Sequence, residues 1–268
     1  MLKKRLLTAF ALIVLTVGII FFSPPRVFQL AVALLLVAAA WEWMHLAGIK
    51  NLFLCLAYSL LIVILFTLAP LAIIMYILFF SVLCWLLILQ AIVYYPANVH
   101  LWCNKIGLSL LGIAVFIPFA TTLVWLKASP LGASLLLYLL LLVWTADTGA
   151  YVVGKLWGKH KLVVKVSPGK TIEGACGGMV LSCVISMIYG IFVIAVPGVS
   201  WVIWLSLGVV TVVVSILGDL LISMIKRQAG VKNSGRVLPG HGGVLDRIDS
   251  LIAASPIFML IYLTAVAA

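Results

Sequence analysis

Charge is what this sequence lacks most. Only 9% of its 268 residues are Asp, Glu, Lys or Arg, and 66% are hydrophobic. A water-soluble domain carries about 25% charged residues, so the composition excludes an ordinary soluble fold. Residues 52–96 contain no charged side chain at all. The mean hydropathy of +1.36 therefore predicts an integral membrane protein.

A disulfide framework and a zinc-binding cysteine pattern are missing as well. The chain has five cysteines, none of them in a C-x-x-C pair, and four of the five lie inside apolar runs. A closed β-barrel is also disfavoured, because its strands would alternate polar and apolar residues where this chain runs continuously apolar. The cysteines are expected to be small residues of membrane helices.

What is present is a succession of apolar runs separated by proline, glycine or charge. They predict an all-α, polytopic integral membrane protein with about nine transmembrane helices. The predicted helices cover residues 6–22, 27–48, 51–69, 71–94, 106–126, 131–157, 172–196, 201–225 and 249–267. The first run is interpreted as a retained helix, because no small-residue cleavage site follows it. We assign residues 1–130 to N-terminal membrane helices and residues 131–268 to catalytic membrane helices with two cytoplasmic loops.

The basic residues predict the orientation of these helices. If the N-terminus is cytoplasmic, only Arg26 and Lys127 of the 17 lysines and arginines fall outside. Loops rich in Lys and Arg stay in the cytoplasm, so this distribution supports both the orientation and the helix count. All six carboxylates fall on the same inner side: Glu42, Asp147, Glu173, Asp219, Asp246 and Asp249. The bases outnumber them there, which favours an anionic ligand.

The first polar inner loop follows Asp147-Thr-Gly-Ala-Tyr151 and runs through "GKHKLVVKVSPGKTIEG", residues 158–174. Ser167 or Thr171 could cap the helix that begins at residue 172. Free N–H groups at that helix start would also favour an anion, with Lys170 beside them. An ordinary helix cap and a phosphate site explain this stretch equally well.

The second polar loop, within residues 218–249, is richer in chemistry. Asp219 and Ser223 are four residues apart and share a helix face, and Asp246 and Asp249 are three apart. Between them, the Gly240-His-Gly-Gly243 turn would let backbone N–H groups approach phosphate oxygens. Mg²⁺ prefers a few carboxylates completed by substrate phosphates. The loop therefore predicts a magnesium site beside a phosphate-binding turn.

The same loop resembles the signature of the phosphatidate cytidylyltransferase family. The matching residues are Ser223-x-x-Lys226-Arg227-x4-Lys232, Gly235, Leu238-Pro239-x-His241-Gly242-Gly243 and Asp246-Arg247-Ile248-Asp249. Upstream, "DTGAY" and "SPGKTIEG" resemble that family's second motif region. The resemblance covers roughly residues 140–255, which is far more specific than a lone glycine motif.

The resemblance implies an enzyme that transfers CMP from CTP to phosphatidate, giving CDP-diacylglycerol and pyrophosphate in phospholipid biosynthesis. Asp219, Asp246 and Asp249 are expected to bind Mg²⁺. The expected phosphate contacts are Lys226, Arg227, His241 and Arg247, with Lys170, Ser223, Gly242 and Gly243 as further binding residues. The implied location is a bacterial inner membrane with the site facing the cytoplasm. No nucleic-acid partner is expected, and a homodimer is compatible with the sequence.

Two positions depart from the family pattern. Ile222 stands where the family usually has Glu, and Asn233 stands where it usually has Asp. The loss of two carboxylates would weaken Mg²⁺ binding. An inactive paralogue is therefore an alternative interpretation. Another membrane CTP-dependent transferase, acting on a polyprenol or alcohol, is a second alternative. An anionic-substrate transporter is disfavoured because the charge clusters on one side and no internal repeat is visible.

Glu42-x-x-His45 has the spacing of a di-iron ligand pair, but the chain offers no second pair. His45 is therefore expected to be a polar interface residue.

The orientation makes the first testable prediction. On a cysteine-free background, single cysteines introduced at positions 161 and 234 should react with thiol reagents only from the cytoplasmic side. Both loops are rich in Lys and Arg, which keep a loop in the cytoplasm. Labelling of either position from the periplasm in intact cells would overturn the orientation.

Overall fold

The computed structural model describes residues 2–235, 237 and 242–266, and α-helices make up most of it. The helices are α1 (Leu2–Phe22), α2 (Pro25–Leu46), α3 (Leu52–Leu68), α4 (Ile74–Val93), α5 (Val99–Trp102), α6 (Lys105–Ala128), α7 (Gly132–Trp157), α8 (Ile172–Tyr189), α9 (Trp201–Gln228) and α10 (Leu245–Ile261). Helices α8 and α10 continue as π-helical turns at Gly190–Ile194 and Tyr262–Val266. The predicted all-α class is confirmed.

Seven of the described helices are long and apolar enough to cross a membrane: α2, α4, α6, α7, α8 with its π-helical turn, α9 and α10 with its π-helical turn. The chain is thus a multi-pass membrane protein. Two further apolar stretches are shorter: α3, and residues Thr8–Phe22 of α1. With 17 residues, α3 spans only about 26 Å at 1.5 Å per residue, less than the hydrocarbon thickness of about 30 Å. The predicted count of about nine spans is not confirmed.

The loop predicted between residues 158 and 171 is partly a β-hairpin. Strand β1 (Lys161–Val163) pairs antiparallel with β2 (Ser167–Thr171), with Lys161 opposite Thr171 and Val163 opposite Ser167. The strands are too short for a period-two pattern to be recognised in the sequence, so the hairpin was missed. A second difference concerns α10, which begins at Leu245, four residues before the predicted start. Asp246 therefore lies in its first turn.

Helices α6, α8 and α9 are capped at their starts by side chains of their own N-cap residues. The Thr171 hydroxyl accepts a hydrogen bond from the Gly174 N–H at 3.1 Å, as the first loop predicted. Asn104 and Ser200 cap α6 and α9 in the same way. Helix α10 has no such cap, because its N-cap residue is Val244, which has no side-chain acceptor. The free amides at the start of α10 must find acceptors elsewhere in the fold.

Two packing arrangements hold the helices around the polar region. Helix α10 is central and contacts α2, α4, α6, α7 and α9, with Ala253, Ala254 and Phe258 fully buried. Helices α7 and α8 lie against each other through glycines. A Cβ built on Gly149 would come within 2.9 Å of the Gly178 Cα atom. Small residues let membrane helices approach this closely and gain dispersion energy.

The α7–α8 contact predicts the effect of one methyl group. Gly178→Ala should lower the stability of the detergent-purified protein by about 1–3 kcal/mol, because the new Cβ overlaps the Ala146 carbonyl. Gly18→Ala in α1 is the matched control, because a Cβ there meets no atom within 4 Å. Thermal unfolding followed by circular dichroism measures both. Equal melting temperatures for the two variants would contradict the close contact.

Candidate functional site

A polar cavity of about 640 Å³ lies between the end of α7, the β-hairpin and the facing parts of α8, α9 and α10. We call it the polar cavity. Its polar lining residues are Asp147, Tyr151, Ser167, Lys170, Thr171, Asp219, Lys226, Asn233, Asp246, Arg247, Asp249 and Ser250. Four carboxylates and three cationic side chains thus share one cavity in a chain that is otherwise poor in charge.

Helical spacing explains how each element presents its polar side chains. Asp219 and Lys226 are seven residues apart, or about two turns of α9, so both face the cavity. Asp246, Asp249 and Ser250 follow the i, i+3, i+4 spacing on the first turns of α10. On α8 the facing residues are small, which leaves the space that the cavity occupies.

Two ion pairs cross the polar cavity. The Lys226 Nζ lies 2.7 Å from the Asp246 Oδ1 and joins the end of α9 to the start of α10. The Lys170 Nζ lies 2.6 Å from the Asp219 Oδ2 and joins the hairpin to α9. The first pair is the more enclosed, with side chains 14% and 8% exposed, against 25% and 28% for the second. The Lys226–Asp246 pair is therefore screened less by water.

The second oxygen of Asp246 holds the loop before α10. Its Oδ2 accepts hydrogen bonds from the Ser234 N–H at 2.9 Å and the Gly243 N–H at 3.1 Å. Gly242 has a φ of +86°, and a Cβ there would lie 2.8 Å from the same oxygen, so glycine suits this position on both counts. Both Asp246 oxygens are thus engaged by protein donors.

The other three carboxylates of the polar cavity lie on α7, α9 and α10, and the Asp219 side chain is less enclosed than that of Asp246. Asp147, Asp219 and Asp249 lie close enough to repel one another electrostatically. Ser223 donates to the Asp219 Oδ1 at 3.1 Å, and the Asp249 Oδ1 accepts the Ser250 N–H at 2.9 Å. Within the described residues no group of three Asp, Glu, His or Cys side chains is arranged to hold a metal ion by itself. A divalent cation would need ligands from a substrate as well.

The structure places six of the eleven predicted site residues on the cavity wall: Lys170, Asp219, Lys226, Asp246, Arg247 and Asp249. Ser223 lies behind Asp219, and Gly242 and Gly243 lie in the loop before α10. Arg227 is exposed, and its Nε donates to the Val166 carbonyl at 3.3 Å. His241 lies outside the described residues.

The sequence prediction left out Asp147 as a site residue. The signal was present, because "DTGAY" puts an acidic residue at the inner end of a membrane helix, where ionisable groups usually have partners or a function. The two departures from the family pattern separate in the structure. Asn233 lines the polar cavity, whereas Ile222 is 1% exposed in the hydrophobic core.

The hairpin that forms one wall is itself anchored. The His160 Nδ1 lies 2.6 Å from the Glu173 Oε1, and Glu173 also accepts the Lys159 N–H at 3.1 Å. Glu173 stands in the first turn of α8, so these bonds join the hairpin to that helix. The same hairpin carries Ser167 and Lys170, which line the polar cavity.

Comparison with known proteins adds evidence of another kind. The sequence model of the family described as "Cytidylyltransferase family" matches residues 3–265. A Pseudomonas aeruginosa protein named phosphatidate cytidylyltransferase is 39% identical over 262 residues, covering 96% of each chain. The Haemophilus influenzae protein of the same name is 37% identical, covering 98% of this chain and 99% of its own. A Staphylococcus haemolyticus protein so named is 47% identical over 133 residues, about half of each chain.

The two ion pairs predict different stability effects. Asp246→Asn should destabilise the protein by about 2–4 kcal/mol, because it leaves the Lys226 ammonium enclosed without its partner. Asp219→Asn is the matched control and should cost less than about 1 kcal/mol, because its pair is more exposed. Thermal unfolding in detergent compares them. A smaller loss for Asp246→Asn than for the control would refute the anchoring role of Asp246.

Proposed function

Because this chain belongs to the cytidylyltransferase family over nearly its whole length, we propose that its polar cavity transfers CMP from CTP to phosphatidate. The products are CDP-diacylglycerol and pyrophosphate. The observation that carries the proposal is the near-complete alignment with two proteins named phosphatidate cytidylyltransferase. The cavity chemistry supports it, because both substrates are anions and the cavity contains Lys170, Lys226 and Arg247.

The reaction needs positioning and charge stabilisation more than covalent chemistry. A phosphate oxygen of the lipid attacks the α-phosphorus of CTP. The bond from that phosphorus to the oxygen bridging it to the β-phosphate breaks, and pyrophosphate leaves with the bonding electrons. Lys170, Lys226 and Arg247 stabilise the negative charge that develops on the phosphate oxygens. No protein nucleophile is required, and Ser223 keeps its bond to Asp219.

Mg²⁺ fits the carboxylate chemistry of the polar cavity, and to bind it Asp219 would exchange Lys170 or Ser223 for the ion. Asp219 and Asp249 would hold the ion, with Asp147 adding negative charge beside them. Mg²⁺ is usually bound through one or two carboxylates plus substrate phosphates, so two carboxylates of the polar cavity would be enough. Bound Mg²⁺ would neutralise phosphate charge and polarise the phosphorus–oxygen bond under attack. Asp246 is proposed as a third ligand, and to bind the ion it would have to release Lys226 or the amides of Ser234 and Gly243, which it holds in this structure.

The predicted phosphate contacts outside the cavity lining differ in whether their donors are already engaged within the protein. The Gly243 N–H donates to Asp246, so in this conformation it is not offered to a phosphate. Arg227 uses its Nε–H on the Val166 carbonyl, and its other guanidinium N–H groups would be the ones to contact an anion. We keep Arg227, His241 and Gly242 as proposed phosphate contacts.

In the proposed topology, α1 and α3 cross the bilayer with the seven longer spans, and the N-terminus is cytoplasmic. Supporting contacts lie at the expected outer end. The Lys127 Nζ, at the end of α6, donates to the Ile20 carbonyl near the end of α1 and lies over the Phe28 ring, near Arg26 in α2. At the other end of α2, Glu42 accepts the Val244 and Leu245 amides beside the polar cavity, which the proposal puts on the cytoplasmic side. Bacterial relatives agree with a bacterial inner membrane.

The proposed division of the chain follows the cavity. Every cavity-lining residue falls between Ala146 and Ser250, within the proposed catalytic part, residues 131–268. Residues 1–130 contribute membrane helices around it. A homodimer stays a prediction.

The decisive experiment uses the purified protein in micelles containing phosphatidate and CTP labelled in either the α- or the γ-phosphate. The proposal requires α-label in CDP-diacylglycerol and γ-label in pyrophosphate, with both abolished by EDTA. Diacylglycerol and a polyprenol replace phosphatidate in parallel reactions. Transfer of the γ-label to one of these alcohols, with phosphatidate inert, would show a different CTP-dependent transferase.

The position of Asn233 in the polar cavity predicts how metal dependence can be tuned. Asn233→Asp should lower the Mg²⁺ concentration for half-maximal activity severalfold, because it adds a carboxylate to the site. Ile222→Glu is the comparison variant and should destabilise the protein without improving Mg²⁺ affinity, because it buries a charge in the core. Mg²⁺ titrations of both variants measure this. An unchanged curve for Asn233→Asp would separate residue 233 from the metal site.

A further inference from the structure

Glu42 is a buried acid outside the polar cavity. It lies near the inner end of α2 and is only 3% exposed. A buried carboxylate is costly unless hydrogen bonds or an opposite charge compensate it. Glu42 therefore needs strong partners, and the catalytic mechanism above makes no use of it.

Its described partners are all neutral donors from the other half of the chain. The Oε1 atom accepts the Val244 N–H at 2.9 Å. The Oε2 atom accepts the Leu245 N–H at 2.9 Å and the Ser234 hydroxyl at 2.8 Å. The two amides belong to the start of α10, 202 and 203 residues away in sequence. Glu42 thus replaces the local cap that Val244 cannot provide, and its charge suits the positive end of the helix dipole.

The surrounding loop is shaped to admit this carboxylate. A Cβ on Gly235 would lie 2.6 Å from the Glu42 Cδ, and a Cβ on Gly243 would lie equally close to the same atom. Gly235 does not have a positive φ, so glycine is required at this position because a side chain would overlap the Glu42 carboxylate. Both glycines stand at the places where Glu42 enters the loop.

Glu42 and Asp246 together close this loop. Ser234 donates its N–H to Asp246 and its hydroxyl to Glu42. Three successive amides, those of Gly243, Val244 and Leu245, donate to Asp246 or Glu42. The first turn of α10 is therefore held from two sides, and it carries Arg247 and Asp249 into the polar cavity.

We infer that Glu42 is a positioning residue for the cytidylyl-transfer site. Through Ser234 and the amides of Val244 and Leu245, it sets the position of the first turn of α10 and so the placement of Arg247 and Asp249. Its effect on catalysis rests on the proposed function, whereas its effect on α10 does not.

The first test follows backbone exchange and kinetics together. Glu42→Gln keeps the side-chain volume but presents an N–H₂ group to at least one donor. Hydrogen–deuterium exchange should become faster in peptides covering residues 242–248. With CTP varied and phosphatidate saturating, kcat should fall about tenfold, because small misplacements of catalytic groups cost about that much or more. The matched control is His45→Ala, because His45 is exposed and lies three residues after Glu42 on α2. It should leave both the exchange rates and kcat unchanged.

The second test is a double-mutant cycle. Gly235→Ala should lower kcat/KM about tenfold, because its Cβ displaces the Glu42 carboxylate. In the Glu42→Ala background the same methyl group meets no carboxylate, so Gly235→Ala should have little further effect. Additive losses in this cycle would overturn the inference. If Glu42→Ala does not fold, the exchange measurement on Glu42→Gln decides.

The outcomes separate the two proposals. If Glu42 had a purely structural role, Glu42→Gln would lower the melting temperature. The folded fraction would keep the wild-type kcat and the wild-type exchange pattern near α10. That result would also overturn the inference. Wild-type protein that leaves CTP and phosphatidate unreacted would refute the proposed function. Faster exchange at residues 242–248 in Glu42→Gln would still support the positioning of α10.

Discussion

The Asp246 carboxylate is the interaction on which the site depends. It pairs with Lys226 on α9 and accepts the amides of Ser234 and Gly243, so one side chain joins two membrane helices and the loop between them. In the low-dielectric surroundings of a helix bundle, such charge-assisted bonds are strong, and leaving any partner unpaired is costly. The wall of the polar cavity formed by α9 and α10 follows from this arrangement.

The same constraint explains why the charges concentrate as they do. Each cationic side chain that could hold a phosphate must be stabilised before substrate arrives, and Lys170 and Lys226 both have carboxylate partners. Binding of anionic substrates with a divalent cation would exchange these internal partners for external ones and keep the charge balanced. A cavity with both signs of charge is thus suited to a polyanion that arrives with a metal ion.

Much of this could be predicted from sequence because the determining patterns are local. Composition determines that the chain enters a membrane, and the length of the apolar runs determines most of the helices. The i, i+3 and i, i+7 spacings determine that Asp246 shares a face with Asp249 and Asp219 with Lys226. Six predicted residues line one cavity, and four of them, Asp219, Lys226, Asp246 and Asp249, follow these spacings. The hairpin was missed because its short strands have no readable period, and the count of spans is not confirmed, since α3 has only 17 residues.

The tertiary structure alone decided which faces meet. The site includes Asp147 because α7 packs beside α8 and α9, and no local spacing relates Asp147 to Asp219 or Asp249. Ile222 and Asn233 looked equivalent in the sequence, yet one packs in the core and the other lines the cavity. Glu42, which in sequence forms only an E-x-x-H pattern, reaches amides more than 200 residues away. Helical periodicity determines which residues share a face. Contacts between distant helices arise only when close packing and the need to satisfy every buried polar group select one arrangement.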